Sequence, residues 1–171
     1  MLIIVEGMDN TGKTTLINRL ADDLKLLVMG NRRRPSRSED ILHYTFHLTE
    51  LSQCYDVIID RWSAISEPIY GPICRGTSWP DMATQTALME HISMLRPLLI
   101  YCRPEDQVVL DFGDRSQMEG VIQNAEALLK EYDQKMEWVN GWISVMNYDY
   151  TTHEYVDILS QVKEHLHGTC H

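Results

Sequence analysis

The chain lacks a membrane-length apolar run: nothing in it approaches the roughly 18 consecutive apolar residues that a spanning helix needs. It also lacks internal repeats, low-complexity tracts and any C-x-x-C pair among its four cysteines. The apolar run at residues 2–5 is too short for a signal-peptide core and is expected to be a strand, which points to a cytoplasmic chain. There the widely spaced Cys54, Cys74, Cys102 and Cys170 are expected to stay reduced, with Cys102 in a buried strand. Positive charge is scarce as well: 15 Lys and Arg against 25 Asp and Glu, a net charge of −10. That balance argues against duplex nucleic acid as a partner, because a general grip on its phosphates needs a basic face. What positive charge there is sits close together, in Arg32, Arg33, Arg34 and Arg37. At 171 residues and 44% apolar, the chain suits one domain with a sheet buried between helices.

What is present begins directly after residues 2–5. Gly7-Met8-Asp9-Asn10-Thr11-Gly12-Lys13-Thr14 fits the phosphate-binding pattern G-x-x-x-x-G-K-[ST]. Glycine lets the backbone approach a phosphate that a Cβ would hold off, and successive N–H groups form a concave anion cradle. A helix opening near Lys13 adds the positive end of its dipole at the same spot. The pattern assigns Gly7, Asn10, Thr11, Gly12, Lys13, Thr14 and Thr15 to the phosphates of a nucleotide. Lys13 would reach the β- and γ-phosphates and the Thr14 hydroxyl a Mg²⁺ ion.

Downstream, Leu16, Leu20 and Leu24, with Ile17 and Ala21, repeat at helical spacing. Residues 26–29 read as a second strand and 31–37, broken by Pro35, as a loop; Ser38-Glu39-Asp40 opens a helix, its acids suited to the dipole. Ile41, Tyr44, Leu48 and Leu51 mark that helix's buried face. A β-branched third strand over 55–59 ends in Asp60-Arg61, and 62–80, rich in Pro and Gly, is expected to be loop. A helix over about 81–95, a strand over 97–103, a short helix over 104–112 and a polar loop over 113–120 follow. Then come a long helix from Val121 with Ile122, Ala125, Leu128, Leu129, Tyr132 and Met136 inward, a fifth strand over 142–148 and a final helix. Strands alternating with helices imply an α/β fold with a parallel sheet covered on both faces. Ligands of such sheets bind beyond the carboxyl ends of the strands. The glycine loop, the arginine loop and Asp60-Arg61 all follow strands directly.

Asp60 ends an apolar strand where an NTPase places a carboxylate near Mg²⁺, so it is read with Thr14 as a metal ligand. Arg61 offers a planar fork for two phosphate oxygens. Arg115 lies where a closing lid would carry it onto a triphosphate and shut out water. Phosphoryl transfer is largely positioning and charge neutralisation, which makes Lys13, Asp60, Arg61 and Arg115 the candidate catalytic set. Plainer alternatives stand beside three of them: a salt bridge or turn cap for Asp60, an exposed strand end for Arg61 and an exposed loop residue for Arg115; for Arg32, Arg33 and Arg34 the alternative is solvated surface. His43 and His47, four apart on a helix, would need a third ligand to hold metal. His165, His167, Cys170 and His171 read as a frayed terminus.

Glu6-Gly7-Met8-Asp9-Asn10-Thr11-Gly12-Lys13-Thr14-Thr15 is similar to E-G-x-D-x-x-G-K-T-T. With Asp60-Arg61, Arg96-Pro97 before the fourth strand and Arg115 in the lid position, the chain resembles the thymidylate kinase-like nucleoside monophosphate kinases, more narrowly those of bacteriophages. The resemblance implies a P-loop NTPase three-layer sandwich with a five-stranded parallel sheet. It implies a single kinase domain over 1–171 with a short lid at about 112–120. The implied reaction moves the γ-phosphate of ATP, with Mg²⁺, to a deoxynucleoside monophosphate, dTMP-like by preference, in the cytoplasm (the host's if the chain is phage-encoded). By position, Asp9 would hold the acceptor's sugar and one of Arg32, Arg33 and Arg34 its phosphate, with Asp60 and Arg61 between acceptor and donor. Some members carry a basic residue inside the P-loop; Met8-Asp9-Asn10-Thr11 has none, which moves that role to Arg115. After D-R the family shows an aromatic, a serine and an alanine-tyrosine pair, where this chain has Trp62, Ser66, Pro68, Ile69 and Tyr70. Trp62 is assigned to the acceptor side, and Tyr70, Arg75 and Gln85 to stacking on and hydrogen-bonding the base. A homodimer is left open.

Two other readings stand beside this one. A deoxynucleoside kinase would use Asp60 or Glu6 as base on a 5′-hydroxyl; the arginine-rich loop, suited to a phosphorylated acceptor, speaks against it. A non-catalytic P-loop module would bind nucleotide as a switch, but the base-reading N-K-x-D of GTPases is absent from the chain.

Overall fold

Five parallel strands, β1 (Leu2–Glu6), β2 (Leu27–Gly30), β3 (Val57–Asp60), β4 (Leu98–Cys102) and β5 (Ser144–Tyr148), lie in the order β2-β3-β1-β4-β5. They come from a computed structural model that describes residues 1–30, 38–114 and 117–168. Seven helices connect and cover them: α1 (Lys13–Leu24), α2 (Ser38–Cys54), α3 (Ser63–Tyr70), α4 (Met82–Ser93), α5 (Asp106–Leu110), α6 (Ala125–Asn140) and α7 (Tyr155–Gly168).

β1 is buried at every residue and shows no polar alternation, as a central parallel strand covered on both faces should. Ile3 and Val5 face the layer of α1 and α7, with Leu16, Ile17, Leu20, Ile158 and Val162. Leu2 and Ile4 face the other layer, with Ile41, Ile65, Leu88 and Leu128. The strand's two-residue period turns Glu6 to that second side. Val5 pairs with Asp60 on one flank and Glu6 with Tyr101 on the other, so the carboxyl ends of β1, β3 and β4 come level. β2 is an edge strand, and its Leu27 and Val28 stay exposed.

Two expectations are corrected. Residues 62–80 are not loop throughout: α3 spans Ser63–Tyr70 with Pro68 inside it, followed by a π-helical turn over Gly71–Arg75. Nearly every residue of α3 is buried, so packing outweighs the single hydrogen bond Pro68 forfeits; Pro72 lies in the first turn of the π segment, where no N–H is needed. The helix expected from Val121 starts instead at Ala125. Asn124 turns its side-chain amide back to the Gly120 carbonyl at 2.8 Å, and Ile122, expected inward, is exposed. No helix of the described residues is long and apolar enough to cross a membrane. Cys102 is buried, as expected of a core strand residue.

Candidate active site

The loop between β1 and α1 is folded around positions only certain residues tolerate. Gly7 has φ +141°, and a Cβ there would lie 2.5 Å from the Cys102 carbonyl oxygen. Gly12 has φ +80°, with the Tyr150 ring 2.8 Å from where its Cβ would stand. Asn10 also takes a left-handed φ, +69°, which its residue type accepts better than most. The Thr11 hydroxyl donates to Met8 O at 2.9 Å, and the Lys13 ammonium donates to the same carbonyl. The result is an open cavity of about 280 Å³ lined by residues 9–15, Asp60 and Arg61.

Lys13 is buried beside this cavity, and burial first, then the neighbouring Arg61, pull its ammonium down to about 8. Thr14 and Thr15 open α1 with exposed side chains on the cavity wall. Asn10 lines the cavity too, but its side-chain amide donates away from it, to Val108 O at 2.9 Å and Asp111 O at 2.8 Å. A P-loop residue thus braces the carboxyl end of α5.

Across the cavity, Asp60 Oδ1 is buried and has no hydrogen-bond partner among the described residues. A buried carboxylate oxygen left unmatched is costly unless a cation or donor meets it. With the Thr14 hydroxyl on the same wall, the residues present fit a Mg²⁺ ion, a hard cation that takes oxygen ligands. Arg61 follows with φ +64°, unusual for a long side chain. Its Nη2 donates to Asp9 Oδ1 at 2.8 Å and to the Tyr70 hydroxyl at 3.1 Å, and Tyr70 donates to Asp9 Oδ2 at 2.9 Å. Burial would raise the Asp9 carboxyl, yet Arg61 holds it below the usual carboxylate range.

Lys13, Asp60, Arg61, Asp9 and Tyr70 are therefore brought together. Trp62 is not: its ring has no exposed surface, lies in the core and donates from Nε1 to Thr45 Oγ1 at 3.0 Å. Arg75 pairs with Glu67, while Gln85 donates to Pro80 O at 2.7 Å and receives the Lys135 ammonium. Neither lines the phosphate cavity. Arg32, Arg33, Arg34, Arg37 and Arg115 lie outside the described residues, as do Cys170 and His171. His43 and His47 are exposed on α2.

Sequence reasoning missed the floor of the site. Tyr132 packs edge-on against Tyr70 (ring centroids 5.9 Å apart) and stacks with Tyr101 (6.2 Å). Helical periodicity places Tyr132 inward, but which element it meets depends on how α6 crosses the sheet.

This strand order, a glycine-rich phosphate loop closing β1 and a carboxylate closing β3 define an α/β P-loop fold. No protein-family model matches the chain, and no curated protein does. Solved structures do match. The YorR protein of Bacillus subtilis, solved with phosphorylated GDP, aligns over 100% of both chains with a TM-score of 0.74 at 20% identity. Deoxyadenosine kinase of M. mycoides, with its products dCMP and dCDP, aligns over 98% of this chain and 100% of its own (TM-score 0.61, 13% identity). Thymidylate kinase of Ehrlichia chaffeensis aligns over 98% of each (TM-score 0.56, 15% identity). What is shared at such identities is the fold.

Proposed function

We propose that the protein is a phosphotransferase that moves the γ-phosphate of ATP to a deoxynucleoside monophosphate, dTMP-like by preference, giving the diphosphate. The observation that carries this is the Asp9–Arg61–Tyr70 cluster on the flank of the Lys13 cavity. Beside a cradle for one polyphosphate stands a guanidinium fork for a second anion and a carboxylate–phenol pair for a hydroxyl-bearing acceptor. The backbone of residues 7–15 and Lys13 hold the donor phosphates. Arg61 meets the phosphoryl group in transit, and Asp9 with Tyr70 orients the acceptor. Thr14 and Asp60 would hold Mg²⁺, which when bound neutralises charge on the β- and γ-phosphates. Arg32, Arg33 and Arg34 keep their assignment to the acceptor phosphate, and Arg115 to the transition-state charge, from motif position.

A second reading has a specific observation behind it. The unmatched Asp60 oxygen is equally suited to take a proton from a 5′-hydroxyl, which would make the enzyme a deoxynucleoside kinase. Glu6, the other base considered for that reaction, has no exposed surface with which to reach a substrate. One assay separates the two: ATP and Mg²⁺ with each deoxynucleoside and each deoxynucleoside monophosphate singly, following ADP and product. Diphosphate formed from monophosphates supports the first reading; turnover of nucleosides alone replaces it with the second.

A further inference from the structure

Glu6 closes β1 and is fully buried, and the reaction drawn above gives it no task. Its surroundings do. Trp62 N–H donates to Glu6 Oε1 at 2.7 Å, while Tyr132 O–H and Gly7 N–H approach Oε2 at 3.4 Å. The residue before Trp62 is Arg61, whose left-handed backbone is strained for a long side chain and persists only where its surroundings over-determine it. Two consecutive donors supply that restraint. Arg61 N–H is bound to Val5 O at 2.9 Å, and Trp62 N–H is bound to Glu6. Remove the carboxyl and the Trp62 amide, in a residue with no exposed surface, is left without its acceptor; the peptide then gains by turning, and Arg61 turns with it. The same carboxyl meets Tyr132, which supports Tyr70, the residue that donates to Asp9. A side chain outside the cavity thus touches both the peptide that follows Arg61 and the ring that supports Tyr70.

We propose that Glu6 is a positioning residue for phosphoryl transfer: its carboxyl pins the Arg61–Trp62 peptide and so aims the Arg61 guanidinium into the gap between donor and acceptor. This rests on the reading that Arg61 meets the transferred group. Three variants of the full chain test it, assayed with ATP, Mg²⁺ and the acceptor the wild type uses best. Glu6→Gln keeps an oxygen for the Trp62 amide, Glu6→Asp withdraws it by one methylene, and Glu6→Ala removes it. Glu6→Gln is expected to stay within about threefold of wild-type kcat, while Glu6→Asp and Glu6→Ala lose about 10²-fold with the KM for ATP nearly unchanged. A merely structural role would not produce that kcat-against-KM split with rescue by Gln. Wild-type kcat in Glu6→Ala or Glu6→Asp overturns the proposal, and so does a Gln variant as slow as the Asp variant. Should Glu6→Ala fail to fold, the Asp variant decides. Should the wild type turn over no acceptor, the acceptor reading fails, and Glu6 is judged by NMR. A Trp62 amide and an Arg61 Nε–H resonance that move in Glu6→Asp but not in Glu6→Gln sustain the positioning role; resonances that stay in place in Glu6→Asp refute it.

Discussion

Arg61 Nη2 lies 2.8 Å from Asp9 Oδ1, so the guanidinium that the proposed reaction turns toward an incoming phosphate is already matched by a carboxylate of the phosphate loop. Both side chains keep about a quarter of their surface open (25% and 26%). On the proposed function, an acceptor would reach the pair and trade with it, giving the fork an anion and Asp9 a hydroxyl.

The planar fork is what that exchange needs, and a point charge will not replace it. Arg61→Lys is expected to lower kcat/KM for the acceptor by about 10²-fold while leaving ATP affinity close to wild type. Steady-state kinetics with each substrate varied in turn checks this; an equal loss toward ATP would place Arg61 on the donor.

Lys13 gives a pH dependence with a definite sign. Its ammonium sits at about 8 in the free protein, and a bound polyphosphate favours the charged form. ATP affinity is then steady at neutral pH and weakens above about pH 8, by up to about tenfold per unit, as protonating Lys13 becomes part of binding. Calorimetric titration in buffers of different ionisation heat would show proton uptake above that pH. Lys13→Ala should abolish turnover, leave the circular dichroism spectrum unchanged and remove this proton linkage.

Much of this was legible in the sequence because apolar strands announce themselves and their last residues fall on one edge. Residues 2–5 with Gly7, and residues 55–59 with Asp60 and Arg61, predicted both the parallel sheet and the cavity wall. The failures share a cause. Pro68 and Gly71-Pro72 are local signals for a loop, but residues 63–70 are helical because tertiary burial outweighs them. The indole of Trp62 follows a site residue yet points into the core, because the left-handed turn at Arg61 reverses the alternation a strand end would suggest. Nothing in the composition of the motif says that Glu6 is enclosed or that Asn10 reaches α5, since both depend on β3, α5 and α6 arriving from distant sequence.

Glu6 should appear in the stability of the fold as a function of pH. Burial raises its carboxyl from 4.5 to about 7, against the opposing pull of the Trp62 N–H, Arg61 and Lys13. The native state then holds a proton that the unfolded chain releases, so the contribution is complete below pH 4.5 and is lost as pH climbs to about 7. A shift of that size corresponds to roughly 3 kcal/mol. Glu6→Gln cannot titrate. The urea-unfolding stability of the wild type relative to this variant should decline between about pH 4.5 and pH 7 and level off above. A difference independent of pH would contradict the buried acid.

Gly7 and Gly12 should differ in what they tolerate. The Cβ of Gly7→Ala meets a main-chain oxygen at 2.5 Å that cannot step aside, whereas that of Gly12→Ala meets the Tyr150 ring, a side chain able to turn. Both are strained by positive φ. Gly7→Ala is expected to cost several kcal/mol, about 1–2 kcal/mol more than Gly12→Ala, by urea unfolding.

On the proposed function, two phosphate-bearing ligands meet above one edge of the sheet, the first over Lys13 and the second at Arg61. Calorimetric titration with a bisubstrate analogue, adenosine and deoxythymidine joined through a chain of phosphates, tests it directly. Mg²⁺-dependent binding about 10²-fold or more tighter than ATP is expected, with that advantage lost in Arg61→Met while ATP still binds. An analogue that binds no tighter than ATP, or whose advantage survives Arg61→Met, would contradict it.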